Sequence, residues 1–156
     1  MQLTHRPVHP NDVPLICGFP QNEEELLFMF PRASYPLTPD QLHESIAARD
    51  SATVVEGDGG VVGFANFYKW ERGARCAIGN VVVAPQARGN GVGRYLMAAM
   101  IGLARQRHLA REITVTCFNR NTAGLLMYAG LGFFPYAVEE RRDRRGRRLA
   151  VILMRL

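Results

Sequence analysis

No apolar run in the 156 residues approaches the ~20 needed to cross a bilayer, so no membrane partner is expected. The opening residues Met1-Gln2-Leu3-Thr4-His5-Arg6-Pro7 lack the charged and apolar regions of a signal peptide. Cysteine is scarce and odd in number. Cys17, Cys76 and Cys117 have no paired spacing, which argues for a reducing compartment and against a zinc site. A cytoplasmic location and no metal are the expectations. Repeats, linkers and low-complexity stretches are absent, so residues 1–156 read as one domain, long enough to bury about two-thirds of its unfolded surface.

Charge is unevenly spread. The formal balance of +5 is modest, yet Arg141, Arg142, Arg144, Arg145, Arg147 and Arg148 crowd around Asp143 and Gly146. No aromatic residues interleave with these arginines, as a single-strand nucleic-acid binder would need. A solvated hairpin tip is the favoured reading, and nucleic acid a disfavoured partner.

What is present begins with Val81-Val82-Val83-Ala84-Pro85-Gln86-Ala87-Arg88-Gly89-Asn90-Gly91-Val92-Gly93-Arg94. A β-branched run stops at Pro85, crosses three glycines and turns helical, with Val92, Leu96, Met100 and Leu103 as an apolar stripe. Strand, glycine loop and helix together make an anion cradle. Glycine lets the backbone come close, and the first helical N–H groups have no partner inside the helix. A nucleotide-triphosphatase loop requires Gly-Lys-Ser/Thr, and no Lys follows these glycines. A dinucleotide fingerprint requires Gly-x-Gly-x-x-Gly and an acid closing the next strand. Here Arg94 follows Gly93, and Glu112 opens the strand instead.

Along the chain, Leu3 to Val8 reads as a strand, and Asn11 and Asp12 suit the cap of a short helix with Pro14 in its first turn. Gln21 to Phe30, acidic at its start, reads as a second helix. Thr38 caps a third, with Leu42, Ile46 and Ala47 as its inner face. Strands follow at 51–56, 61–70 and 75–84, then a helix at 91–107 and a strand at 113–117. Asn119 to Thr122 can cap a helix over 123–129, stopped by Gly130 and Gly132. A hairpin of strands 133–140 and 147–156 ends the chain.

Gln86-Ala87-Arg88-Gly89-Asn90-Gly91 resembles the Gln/Arg-x-x-Gly-x-Gly/Ala loop of the GCN5-related N-acetyltransferases. Asn121 to Phe133, with Asn121 seven residues before Tyr128 and then Leu131-Gly132-Phe133, resembles that family's second signature, and the element order fits over nearly the whole chain. The resemblance implies a mixed α/β acyl-CoA N-acyltransferase fold, a mostly antiparallel twisted sheet of about seven strands flanked by about four helices. It implies acetyl-coenzyme A as cosubstrate and a small-molecule or peptide amine as acceptor, acetylated by direct attack through a tetrahedral intermediate. Val81, Val82 and Val83 would meet the pantetheine arm. The segment Gln86, Arg88, Gly89, Asn90, Gly91, Val92, Gly93 and Arg94 would cradle the pyrophosphate, its amides from Arg88 to Arg94 doing the gripping. Asn119 and Asn121 would also bind the cofactor, and Tyr128 would sit by the sulfur as general acid. Many relatives carry a carboxylate on the strand before the glycine loop, where this chain has Asn80. Glu23, Glu24, Glu25, the weaker candidate His43, or a water chain is left as the base. A coenzyme A sensor, a basic nucleic-acid-binding domain and homodimer formation stay open alternatives.

Overall fold

The computed structural model describes all of residues 1–156. Seven strands form one sheet: β1 (Thr4–Pro7), β2 (Asp50–Gly57), β3 (Gly60–Trp70), β4 (Arg75–Val83), β5 (Glu112–Phe118), β6 (Phe134–Arg142) and β7 (Arg148–Arg155). Their spatial order is β1-β2-β3-β4-β5-β7-β6. Every neighbouring pair is antiparallel except β4 with β5. Five helices complete the fold: α1 (Val13–Cys17), α2 (Glu23–Met29), α3 (Pro39–Ala48), α4 (Val92–His108) and α5 (Thr122–Gly130). This is the expected mixed α/β architecture, and all five helices read along the chain are present, one more than the resemblance's approximate four.

Local chemistry explains most boundaries. The Asn22 side chain accepts from the Glu25 amide, and three glutamates in the first turn of α2 complement its positive end. Thr38 caps α3 by accepting from the Gln41 amide. The start of α1 differs from expectation. His9, not Asn11 or Asp12, accepts the capping bond ahead of a short 3-10 turn, and Asp12 reaches back to the His9 amide. Asp12 is thereby freed to hold Arg6 through two hydrogen bonds of 2.8 and 3.0 Å. In α5, Gly130 stays helical, and the left-handed turn falls on Gly132 at φ 99°.

The two faces of the sheet carry different helices. On one, Val92 and Leu96 of α4 come within contact distance of Gly63, and Phe67 meets His108 edge to face. Val92, Leu96, Met97, Met100 and Ala104 of α4 are buried, whereas the expected stripe member Leu103 is only half-buried. On the opposite face, Asn66 and Tyr68 of β3 meet the end of α3. The inner face of α3 also departs from expectation: Ala47 is exposed, and Ser45 is buried with Leu42. The reason is polar. Ser45 Oγ donates to Asn80 Oδ1 at 2.6 Å.

Asn80 is the centre of a buried network. Its Oδ1 also accepts from Asn66 Nδ2 at 2.9 Å, and its Nδ2 donates to the Met29 carbonyl at 3.0 Å. Its backbone sits at φ 52°, a left-handed conformation that Asn tolerates better than most residues. Between the pairs Phe64↔Val82 and Asn66↔Gly79, β4 carries one residue more than β3. That surplus is a bulge at Asn80 or Val81. A second register shift, between Phe67 and Lys69, leaves Tyr68 as the surplus residue of β3.

Parallel pairing of β4 with β5 runs from Arg75↔Glu112 to Ile78↔Val115 and stops. Both strands continue, β4 to Val83 and β5 to Phe118, so they part like the arms of a fork. Tyr68 bridges the crotch, its hydroxyl 3.1 Å from Thr116 Oγ1 on β5 while its ring lies over Gly79 of β4. Thr116 is exposed.

The network makes Asn80→Asp a destabilising change at neutral pH. It removes the donor to Met29 and turns a buried carboxylate toward a carbonyl, at an expected cost of ~1–3 kcal/mol in urea unfolding. The pKa of such a carboxyl is raised in the folded state, so the deficit should shrink as pH falls and a protonated oxygen regains a donor.

Candidate active site

The site is built where the open fork meets the start of α4. Beyond Ile78, the edge of β4 that faces β5 has no strand partner, which leaves Val81, Val82 and Val83 bordering the cleft. The chain then passes through a short 3-10 turn, Pro85–Ala87, into Gly89 at φ 78° and Gly91 at φ 81°. A Cβ at either glycine would meet nothing within 4 Å, so these two face open space. They are glycines because of their backbone conformation, not because of crowding. Gly93 is different. A Cβ there would lie 2.7 Å from Met127 Sδ, so its hydrogen lets α5 pack against the start of α4.

No side chain caps α4. The amides of its first turn therefore have no side-chain partner, and the positive end of a 17-residue helix stands behind them. An uncapped helix start beside two open glycines fits a diphosphate by charge and shape.

The side chains of the glycine loop brace the loop itself. Asn90 Nδ2 donates to the carbonyls of Ala87 and Arg88. Arg88 forms a fork-to-fork pair with Glu25 at 3.0 and 3.1 Å, and donates further to Phe19 and Val83 carbonyls. The Arg94 guanidinium lies against Gly130, near the negative end of α5. Gln86 is exposed. The Arg88 side chain is thus engaged within the protein and that of Arg94 is laid against α5. Ala87 and Arg88 donate their amides to the 3-10 turn, while the amides that follow them in the loop have no side-chain cap.

Asn121 and Tyr128 follow the other arm of the fork, the first as the cap of α5 and the second within it. Asn121 Oδ1 accepts from the Gly124 amide at 3.0 Å, a cap that needs Gly124, since a Cβ there would lie 2.6 Å from Asn121 Nδ2. Asn119 is exposed at the end of β5. The Tyr128 ring is buried, edge-on to Phe133 at 5.9 Å. Burial pushes its phenol above the ordinary value, and the neighbouring Cys117 and Tyr68 add to the effect. The hydroxyl stays protonated across neutral pH and is suited to donating a hydrogen bond. Burial likewise pushes the Cys117 thiol up to about 12, which makes it inert.

The three glutamates that open α2 are all occupied. Glu23 pairs with Arg145, Glu24 with Arg120 and Glu25 with Arg88, each at 3.0 Å. Arg88 holds the Glu25 carboxyl below the usual range, aided by the Gln21 amide and opposed by desolvation. His43 is exposed on α3. The structure therefore does not gather these candidates around a free, basic carboxylate.

The arginine turn is not merely solvated, as the sequence had led us to expect. Arg144 donates to the carbonyls of Ala33 and Arg32 at 3.0 Å, and Arg145 holds Glu23. The hairpin tip is thereby tied to α2 and the loop behind it. A cavity of about 400 Å³ lies beneath, lined by Leu27, Phe28, Phe118, Arg120, Arg144 and Arg148 among others.

Residues that the sequence reading passed over cluster on the face opposite α4: Ser45, Arg49, Asn66, Tyr68 and Thr116. Their signal was polarity inside apolar strands, visible at Asn66 and Tyr68, together with the strand glycine Gly79.

A model of the acetyltransferase (GNAT) family matches residues 19–133. The chain belongs to that family. Its members are acyl-coenzyme A-dependent N-acetyltransferases, and that enzyme class holds for this chain. Solved structures share the fold from end to end. The ribosomal-protein-alanine N-acetyltransferase of Brucella melitensis is 22% identical with a TM-score of 0.79, covering 98% of each chain. The yncA protein of Salmonella typhimurium, solved with its cofactor acetyl-CoA, is 24% identical with a TM-score of 0.78, over 99% of this chain and 92% of that one. The spermidine N-acetyltransferase of Vibrio cholerae, in complex with CoA and spermine, is 18% identical with a TM-score of 0.82, over 99% of this chain and 95% of that one. No curated protein matches the sequence. No helix is long and apolar enough to cross a membrane.

Two outcomes are expected of this GNAT site. Gly91→Glu, which forces a side chain at φ 81° and adds negative charge to the cradle, should abolish the calorimetric signal of coenzyme A binding. The Glu25–Arg88 pair stabilises the fold above the unfolded carboxyl pKa, and that stability is lost as pH falls through the lower folded value. Wild type should therefore lose more thermal stability than Glu25→Gln between about pH 5 and pH 3.

Proposed function

We propose that this GNAT chain moves acetyl from acetyl-coenzyme A to a primary amine by direct attack, through a tetrahedral intermediate. The observation that carries the reading is the uncapped start of α4, with Gly89 and Gly91 open beside it, at the mouth of the β4–β5 fork. Acetyl-coenzyme A supplies an activated acyl carbon and a thiolate leaving group.

The chain's own groups then have five tasks. The amides from Arg88 to Arg94 grip the diphosphate, while the unpaired edge at Val81 to Val83 runs beside the pantetheine arm as an added strand would. One amide of that edge faces the developing oxyanion, an interaction whose loss often costs ~3 kcal/mol of barrier. Asn121, with its Nδ2 free of the helix cap, and Asn119 hold the cofactor on the β5 side. Tyr128 donates a hydrogen bond to the departing sulfur. A thiolate has a pKa near ~8.5, so a neutral phenol need only stabilise the charge, and a raised pKa is no obstacle to that.

The acceptor must arrive neutral. An alkyl amine of pKa ~10.4 is uncharged in about one molecule per 2,500 at pH 7, so a proton must leave on binding. With Asn80 locked in its network and the α2 glutamates paired with arginines, a water chain opening to solvent is the reading we adopt for its route. The acceptor is a small molecule or a peptide. The Brucella and Vibrio proteins, named for a ribosomal-protein alanine and for spermidine, show that both kinds occur on this fold.

Thiol release from acetyl-coenzyme A across a panel of amines, amino acids and peptides tests the reading, and silence across the whole panel would refute it. Tyr128→Phe should lower kcat by roughly tenfold or more while leaving coenzyme A affinity nearly intact. Unchanged kcat would remove Tyr128 from its role.

A further inference from the structure

Arg49 is a guanidinium without a counter-ion in a place where one is needed. It follows the last turn of α3 and crosses the sheet face opposite α4. Its Cζ stands 5.6 Å from the Phe30 ring centroid and 5.5 Å from that of Tyr68. One Nη donates to Asn66 Oδ1 at 3.2 Å, and that is its one hydrogen bond within the protein. None of the nine ion pairs of the chain includes Arg49, and none includes Arg32. Arg32 is nonetheless near enough to press on it. Desolvation lowers the Arg49 pKa, the Arg32 charge lowers it further, and Tyr68 opposes the shift.

A partly desolvated arginine flanked by a second one, with no carboxylate, is an unbalanced site that an anion would complete. Its position says which anion. Gly79 has no side chain because Arg49 and Tyr68 occupy that space: a Cβ there would lie 3.0 Å from Arg49 Nη1 and 2.6 Å from the Tyr68 ring. The guanidinium therefore rests over β4 at Gly79, two residues before Val81, where the fork has already opened. An α-amino acid carries its amine and its carboxylate two bonds apart, so a carboxylate held by Arg49 keeps the amine beside the same stretch of β4.

We propose that Arg49, supported by Arg32, receives the carboxylate of the acceptor, and that the acceptor is an α-amino carboxylate and not a polyamine. This rests on the acetyl-transfer reading above. Arg49 has further donors than the one on Asn66, and a guanidinium fork suits a planar carboxylate. The Phe30 and Tyr68 rings hold it in place, so little ordering is needed on binding. A polycationic acceptor would meet two uncompensated positive charges at the same spot.

The test compares each L-amino acid with its carboxamide and its decarboxylated amine, together with spermidine and the peptide Asp-Ala-amide, in wild type, Arg49→Gln and Arg49→Lys. Free amino acids should exceed their amides and amines in kcat/KM by roughly tenfold to a hundredfold, the range for a hydrogen bond to a charged group. Arg49→Gln should erase that preference by raising acceptor KM, with KM for acetyl-coenzyme A unchanged, and Arg49→Lys should restore part of it. Thermal-shift protection by the preferred amino acid, measured without acetyl-coenzyme A, should vanish in Arg49→Gln. Coenzyme A must still protect that variant, which shows that it is folded. Equal use of acids and amides, preference for spermidine, or a preference that survives in Arg49→Gln would overturn the proposal and leave acetyl transfer intact. Preference for Asp-Ala-amide over free amino acids would overturn the free-acid assignment in favour of a peptide side-chain carboxylate. Silence with every amine would refute acetyl transfer itself, and this proposal with it.

Discussion

The separation of β4 from β5 past Ile78 and Val115 is the constraint on which the rest of the site depends. Two parallel strands that stayed paired would close the cleft and satisfy the edge that a ligand must use. Here the last pair is followed within two residues by the strand bulge and by Asn80, whose side chain binds α3 through Ser45, α2 through Met29 and β3 through Asn66. Three elements thus hold one arm of the fork in its bent course. A buried amide with both ends satisfied contributes rigidity as well as energy, because no nearby alternative satisfies all three partners. The role of Asn80 here is architectural.

Around that fork the chain holds its loops by charge. Each glutamate of the first turn of α2 meets an arginine from a distant part of the sequence: Arg145 in the hairpin turn, Arg120 after β5 and Arg88 in the glycine loop. The α2 helix is therefore tied to all three sides of the cleft. Such partly exposed pairs contribute little stability one at a time. Their value is in position, since they tie the arginine-rich tip and the glycine loop to the start of α2. The nine ion pairs leave Arg32 and Arg49, among other arginines, without a carboxylate partner.

Some of this was legible in the residues. The glycine loop announces a strand-to-helix turn with an exposed backbone, because three glycines within five residues and a preceding Pro85 permit little else. Thr38 marks the start of its helix correctly, since capping depends on neighbours two or three positions away. The arginine turn and the inner face of α3 were misjudged for the opposite reason. Arg144 binds carbonyls more than 100 positions away, and Ser45 is buried because its partner lies 35 residues distant. No window along the chain contains those facts.

The sequence by itself determined the element order, the caps of α3 and α5 and the glycine-bearing strand-to-helix turn, all of which follow from interactions between residues close in the chain. Only the tertiary structure decided that β4 and β5 part, that Tyr68 spans the gap to Thr116, and that Arg49 rests over Gly79 without a counter-ion. Those outcomes depend on register shifts and on contacts between remote segments. A single extra residue in a strand changes which side chains share a face, and that surplus exists only relative to a partner strand.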